Sequence, residues 1–134
     1  MAPAEREGVV EYMGELDERE RDELFGAAFA TVMLSRWPEP FGLVAIESLA
    51  AGTPVIAARS GALPEIVIDG KDGYVVDDIA AGAAAIDLVP GLDRARIRAS
   101  ALERFSAARM VDNYVAVYER LVSSRSQRAP KRAM

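Results

Sequence analysis

Two carboxylates, Glu39 and Glu47, bracket the segment Phe41-Gly42-Leu43-Val44-Ala45-Ile46, and Ser48-Leu49-Ala50-Ala51-Gly52-Thr53-Pro54-Val55-Ile56 follows directly. The pattern reads as a helix that opens at Phe41 or Gly42, ends on Gly52 and hands over to a buried strand. A helix N-terminus carries free amides and a positive dipole end, which suit an anion. A carboxylate accepts hydrogen bonds in pairs and suits vicinal hydroxyls. A phosphate on the helix with hydroxyls on the acids is the chemistry of a sugar nucleotide. Gly42, Leu43 and Val44 would offer free amides, and the missing side chain of Gly42 would let a ligand approach the backbone. At 1.5 Å per residue, Glu47 stands roughly 6–8 Å along the axis from the first turn, on the side of Leu43.

The spacing alone says little. Glutamates eight apart also occur at Glu7 and Glu15 and at Glu15 and Glu23, in a highly charged stretch that reads as solvated surface. Context distinguishes the third pair. The competing reading makes Glu39 an N-terminal cap or dipole partner and Glu47 a surface acid of an amphipathic helix. Against that, Glu47 sits between Ile46 and Leu49 in an apolar helix, where a solvated acid is less expected.

The elements that must position these acids alternate. Val9 to Met13 reads as a strand ending at Gly14, and Asp17 with Glu20 forms a capping box for a helix showing Leu24, Phe25 and Ala28 to the core. Thr31 to Leu34 reads as a strand buried on both faces. Two prolines within Ser35 to Pro40 impose a loop. Pro54 to Ala58 and Tyr74 to Val76 are further strands, with a helical turn near Pro64 and a tight turn at Asp69 to Gly73. Asp77 or Asp78 caps a helix through Leu88, and helices follow over 93–104 and 106–122. The last carries Met110, Tyr114, Val117, Tyr118 and Leu121 at helical spacing. Strand and helix alternation to residue 88 predicts a parallel sheet flanked by helices, with ligands at the carboxyl ends of the strands, where loop 35–42 lies.

The 134 residues fit one domain with a real core, 51% apolar and 28% charged. The net charge of −5 argues against a nucleic-acid surface. The absence of cysteine and histidine excludes disulfides, zinc fingers, thiol catalysis and Ser-His-Asp chemistry, and removes the commonest metal ligand. No metal or cofactor is implied. Without an apolar run of about 20 residues or a signal-peptide core, the expected location is cytoplasmic.

Glu39-Pro-Phe-Gly-Leu-Val-Ala-Ile-Glu47, Ala51-Gly-Thr-Pro-Val-Ile-Ala57, Gly61-Ala-Leu-Pro-Glu65-Ile and Asp69-Gly-Lys-Asp-Gly73 closely resemble the family 4 (group 1) glycosyltransferases. The similarity runs from about Val9 to Leu121. The resemblance implies the GT-B architecture and retaining transfer of a sugar from a nucleotide-diphosphate sugar. It implies that Glu39 is the catalytic residue and contacts the donor sugar. Phe41 and Gly42 would line the sugar, the Leu43 and Val44 amides would hold the diphosphate, and Glu47 would take the ribose. Leu16 matches a position beside the nucleobase; packing against Leu24 is its competing reading. Arg36 and Trp37 read better as exposed loop, Glu65 as a first-turn acid and Lys71 as a solvated turn residue.

Set against that family, an acceptor domain and the first two strands of the donor domain are missing from these residues, with the Arg and Lys that those strands carry. The expectation is therefore a partial Rossmann-like sheet over 1–122, the C-terminal part of a GT-B donor domain, with 123–134 a basic disordered tail. Arg125, Arg128, Lys131 and Arg132 give that tail the alternative of contact with acidic lipid, peripheral to the membrane. Like charges at about 5–6 Å repel by roughly 3 kcal/mol at an effective dielectric of 20, against about 1 kcal/mol from the helix dipole. Donor binding by the chain alone is expected to be weak, and the isolated chain inactive. The alternative function is a non-catalytic nucleotide-sugar-binding or assembly module that completes its site with another chain; a third is an inactive remnant. Removing two strands also predicts that Val9–Met13 pairs directly with Thr31–Leu34, or that the open edge drives a homodimer.

Overall fold

The computed structural model describes residues 8–127. Three parallel strands, β1 (Thr31–Met33), β2 (Val55–Ala58) and β3 (Gly73–Val76), lie side by side in chain order. Thr31 pairs with Val55 and Val55 with Gly73, so the strands start in step. Between and around them run α1 (Glu18–Ala27), α2 (Leu43–Ala50), α3 (Leu63–Ile66), α4 (Ile79–Ile86), α5 (Arg94–Phe105) and α6 (Ala107–Gln127), with a 3₁₀ turn at Val89–Gly91.

Strand periodicity divides the core in two. Val55 and Ala57 of β2 join Leu49, Leu63 and Ile97 on one face, under α2, α3 and α5. Ile56 joins Val76, Ala85 and Val89 on the other, under α4. Val55, Ile56 and Ala57 are all buried, as a central parallel strand requires. The edge strand β1 differs from its expected two-sided burial: Val32 is exposed, because α4 covers β2 and β3 on that face.

The predicted helix starts hold. Asp17 Oδ1 accepts from Glu20 N at 2.8 Å while Asp17 N donates back to Glu20 Oε2 at 3.0 Å, completing the capping box of α1. Asp78 caps α4 and Asp93 caps α5.

Three further expectations are corrected. Val9–Met13 forms no strand and pairs with nothing in the sheet; Val9 is 76% and Tyr12 81% exposed. Direct pairing with Thr31–Leu34 is therefore wrong: among the described residues β1 pairs with β2 alone, and the Val9–Met13 side chains stay in water instead of packing on the sheet. Leu24 is exposed, because the inward line of α1 is Arg21, Phe25 and Ala28 at helical spacing. The apolar stripe of α6 (Met110, Tyr114, Val117, Tyr118, Leu121) lies in solvent, since the helix leaves the body after Ser106. Finally, α6 continues to Gln127, past its expected end at Val122. The remainder of the predicted tail, with Arg128, Lys131 and Arg132, lies outside the described residues. No described helix is long and apolar enough to cross a membrane.

Candidate functional site

The loop after β1 delivers Glu39 to the start of α2 at the carboxyl end of the sheet, where ligands of open α/β sheets sit. Its Oε1 accepts from Gly42 N at 3.0 Å and, at 3.4 Å, from Phe41 N. The Gly42 amide is thus not free, as the sequence suggested, but held by Glu39. The capping role weighed for Glu39 is realised, and the carboxylate is fixed by the turn it caps. The amides of Leu43 and Val44 stand at the open N-terminus beside it.

Gly42 answers to two demands at once. Its φ of +81° is left-handed, and a Cβ there would meet Ile66 Cδ1 at 2.5 Å. The missing side chain makes room for α3 underneath.

Phe41, Leu43 and Val44 are 61%, 59% and 45% exposed. Three neighbouring apolar side chains thus form an exposed patch beside the held Glu39 carboxylate. The buried side of α2 is Ala45, Ser48 and Leu49. Ser48 anchors it, donating to Thr31 Oγ1 at 2.8 Å and lying 3.0 Å from Thr53 O, so α2 is tied to β1 and to the turn before β2.

Glu47 does not join Glu39 directly. It faces the groove between α1, α2 and α5, with Arg21, Asp22 and Arg98 among its walls. Its Oε1 lies 3.3 Å from Arg21 Nη2, both side chains about one-third exposed. Sequence reasoning missed this cation. Its signal was present: Arg21 lies four residues before the buried Phe25, on the inward stripe of α1. The charge imbalance expected at the site is accordingly smaller than two bare acids imply. Leu16 is half-buried just before the α1 cap, and Leu24, its expected packing partner, is exposed.

Other positioning residues were also unforeseen. Gly61 sits with φ +58° against the Glu39 backbone, and Ala62 N donates to Glu39 O at 2.8 Å. Arg94 donates to Ala28 O at 2.7 Å and Gly26 O at 3.0 Å, and Arg98 to Ala50 O at 2.7 Å. These α5 arginines satisfy carbonyls at the C-terminal ends of α1 and α2, where cations are favoured. Arg36 and Trp37 are exposed loop residues, Glu65 lies in the first turn of α3 and Lys71 in an exposed turn, each on its plainer reading.

The chain has similar proteins of known identity. The chain is 43% identical over 107 residues to a D-inositol 3-phosphate glycosyltransferase of Mycolicibacterium smegmatis, spanning 76% of this chain and 25% of that protein. It is 42% identical over 94 residues to a glycogen synthase of Mycobacterium tuberculosis, spanning 66% of this chain and 22% of the other. The chain thus covers about a quarter of these relatives. Among solved structures, AviGT4, a glycosyltransferase involved in avilamycin A biosynthesis, superposes with TM-score 0.72 at 29% identity, over 90% of this chain and 38% of that one. Anabaena HepE, solved in complex with UDP, superposes with TM-score 0.67 at 27% identity, over 90% and 35%. The fold is a partial Rossmann-like parallel sheet of the GT-B type. The family model for glycosyl transferases group 1 matches residues 3–92, and the chain belongs to that family.

Proposed function

We propose that this chain supplies the donor-holding part of a retaining, family 4 hexosyltransferase that uses a nucleotide-diphosphate sugar. The diphosphate lies against the Leu43 and Val44 amides at the α2 N-terminus, which stabilise it as it departs. Glu39 receives the donor sugar's hydroxyls, with Phe41 and Gly42 lining the sugar. Glu47 takes the ribose and Leu16 borders the base. The transfer site is completed by an acceptor-binding domain or a complementary chain, in a cytoplasmic setting. The observation that carries this reading is the fixed Glu39 carboxylate beside exposed Phe41, Leu43 and Val44. Complexes of HepE with UDP, and with UDP and glucose, support the ligand class.

Calorimetry or NMR titration with uridine and guanosine diphosphates tests it. The expected outcome is saturable binding, weak in the isolated chain, that Glu47→Ala weakens by about tenfold, equivalent to roughly 1.4 kcal/mol. No binding up to several-millimolar nucleotide, in the wild type or in Glu47→Ala, would refute it.

A second reading, a non-catalytic nucleotide-sugar-binding module, is favoured by the open edge of β1, which offers a pairing surface to a second chain or a second copy. Binding without any release of nucleoside diphosphate from the sugar nucleotide would select it. A strictly monomeric sedimentation profile at high concentration would remove the homodimer.

A further inference from the structure

The α1 helix turns a charged residue inward. Arg21 shares its line with buried Phe25 and half-buried Ala28, so its stem is packed and its guanidinium emerges beside α2. There Nη2 stands 3.3 Å from Glu47 Oε1. The Arg21 Nε is buried without a hydrogen-bond partner among the described residues. An arginine that leaves one of its own donors unmet is held by its surroundings rather than by an optimised ion pair. Both ends of α1 are fixed as well, by the Asp17–Glu20 capping box at the start and by Arg94 on the Gly26 and Ala28 carbonyls at the end. The guanidinium thus meets the Glu47 carboxylate from a helix whose two ends are tied.

We propose that Arg21 is a positioning residue: it takes one oxygen of Glu47 and thereby aims the other at the vicinal hydroxyls of the donor's ribose. This rests on the reading in which Glu47 receives the ribose. A carboxylate free to rotate presents its oxygens to a diol only part of the time, and a cation beside it fixes the plane.

The test is an NMR titration of the 134-residue chain with UDP and with 2′,3′-dideoxy-UDP. The readout is the ratio of the two dissociation constants, which isolates the contribution of the hydroxyls. The wild type is expected to prefer UDP several-fold. Arg21→Gln and Arg21→Met are expected to bring the ratio close to one while leaving the dideoxy affinity within about twofold. Arg21→Lys should restore part of the preference. Glu47→Gln should show the same low ratio, and adding Arg21→Gln to it should lower it no further. A wild-type ratio in either neutral variant overturns the proposal, as does an equal loss for both nucleotides, which is what a merely structural role would give. The amide spectrum reports folding, and two neutral variants of different shape protect against one that fails to fold. If the wild type binds UDP without preferring it, Glu47 does not serve the ribose and the proposal falls with that assignment. If it binds neither nucleotide, the functional reading itself falls.

Discussion

The backbone of Glu39 lies against the α-carbon of Gly61: a Cβ there would stand 2.2 Å from the Glu39 carbonyl oxygen and 2.5 Å from its amide nitrogen. The obstruction is main chain, so it cannot be relieved by rotating a side chain. Gly61→Ala must displace the loop that carries the Glu39 carboxylate, in addition to the roughly 1–2 kcal/mol of holding alanine at a left-handed φ. Urea denaturation should show a total loss of about 2–4 kcal/mol. The amides of Phe41 and Gly42, which depend on the Glu39 carboxylate, should shift most in the NMR spectrum.

Gly42→Ala meets a different obstacle. The Cβ would press on the Ile66 methyl, the far end of a side chain that can move. Strain from the positive φ remains. A loss of about 1–3 kcal/mol is expected. Pairing the change with Ile66→Val should recover part of the packing term and none of the backbone term, as a denaturation series on the two single variants and the double variant would reveal.

Phe41→Ser separates binding from folding. The ring is mostly in water, so stability should change by less than about 0.5 kcal/mol. If the ring lines the sugar, affinity for a nucleotide-diphosphate sugar should fall by about tenfold while affinity for the bare nucleoside diphosphate changes little. Parallel titrations with the two ligands check this.

Far from the site, Asp72 is 3% exposed and its Oδ2 lies 2.7 Å from Arg104 Nη1. Arg104 also donates to Ile66 O at 2.8 Å and covers the Phe105 ring at 4.6 Å. Arg104→Ala strands a buried carboxylate and an acceptor, and should cost about 3–5 kcal/mol. Arg104→Met with Asp72→Asn, which removes both charges, should cost less than Arg104→Ala alone. Thermal melts of the two variants decide it.

Much of this was legible beforehand. The caps at Asp17 and at Asp77 or Asp78, the helix start near Asp93, the proline-bounded loop and the three strands after residue 30 follow from local chemistry, because those signals act within a few residues. The failures are of two kinds. Val9–Met13 has strand composition, but a strand also needs a neighbour, and pairing is not encoded in one segment. Leu24 was assigned inward by apolar character, whereas which helical face turns inward is decided by what stands opposite. The same rule hid Arg21, a charge on an inward face. At the site, the fixing of Glu39 by Gly42 was among the readings open from sequence. Its dependence on Gly61 was not, because that contact joins residues over twenty positions apart.

Arg94 reaches back across 66 residues to the end of α1, and on the way its guanidinium also meets Thr53. Arg98 grips the end of α2 from the next turn of α5. The two helices that carry Arg21 and Glu47 therefore do not open independently: their last turns are latched by one outer helix. Native-state hydrogen exchange should find the amides near Ala28 and Ala51 released in a common opening event whose free energy is that of detaching α5. An Arg94→Ala substitution would then quicken exchange in α1 and at Thr53 together, although the two are separated in the chain by a strand, a loop and a helix.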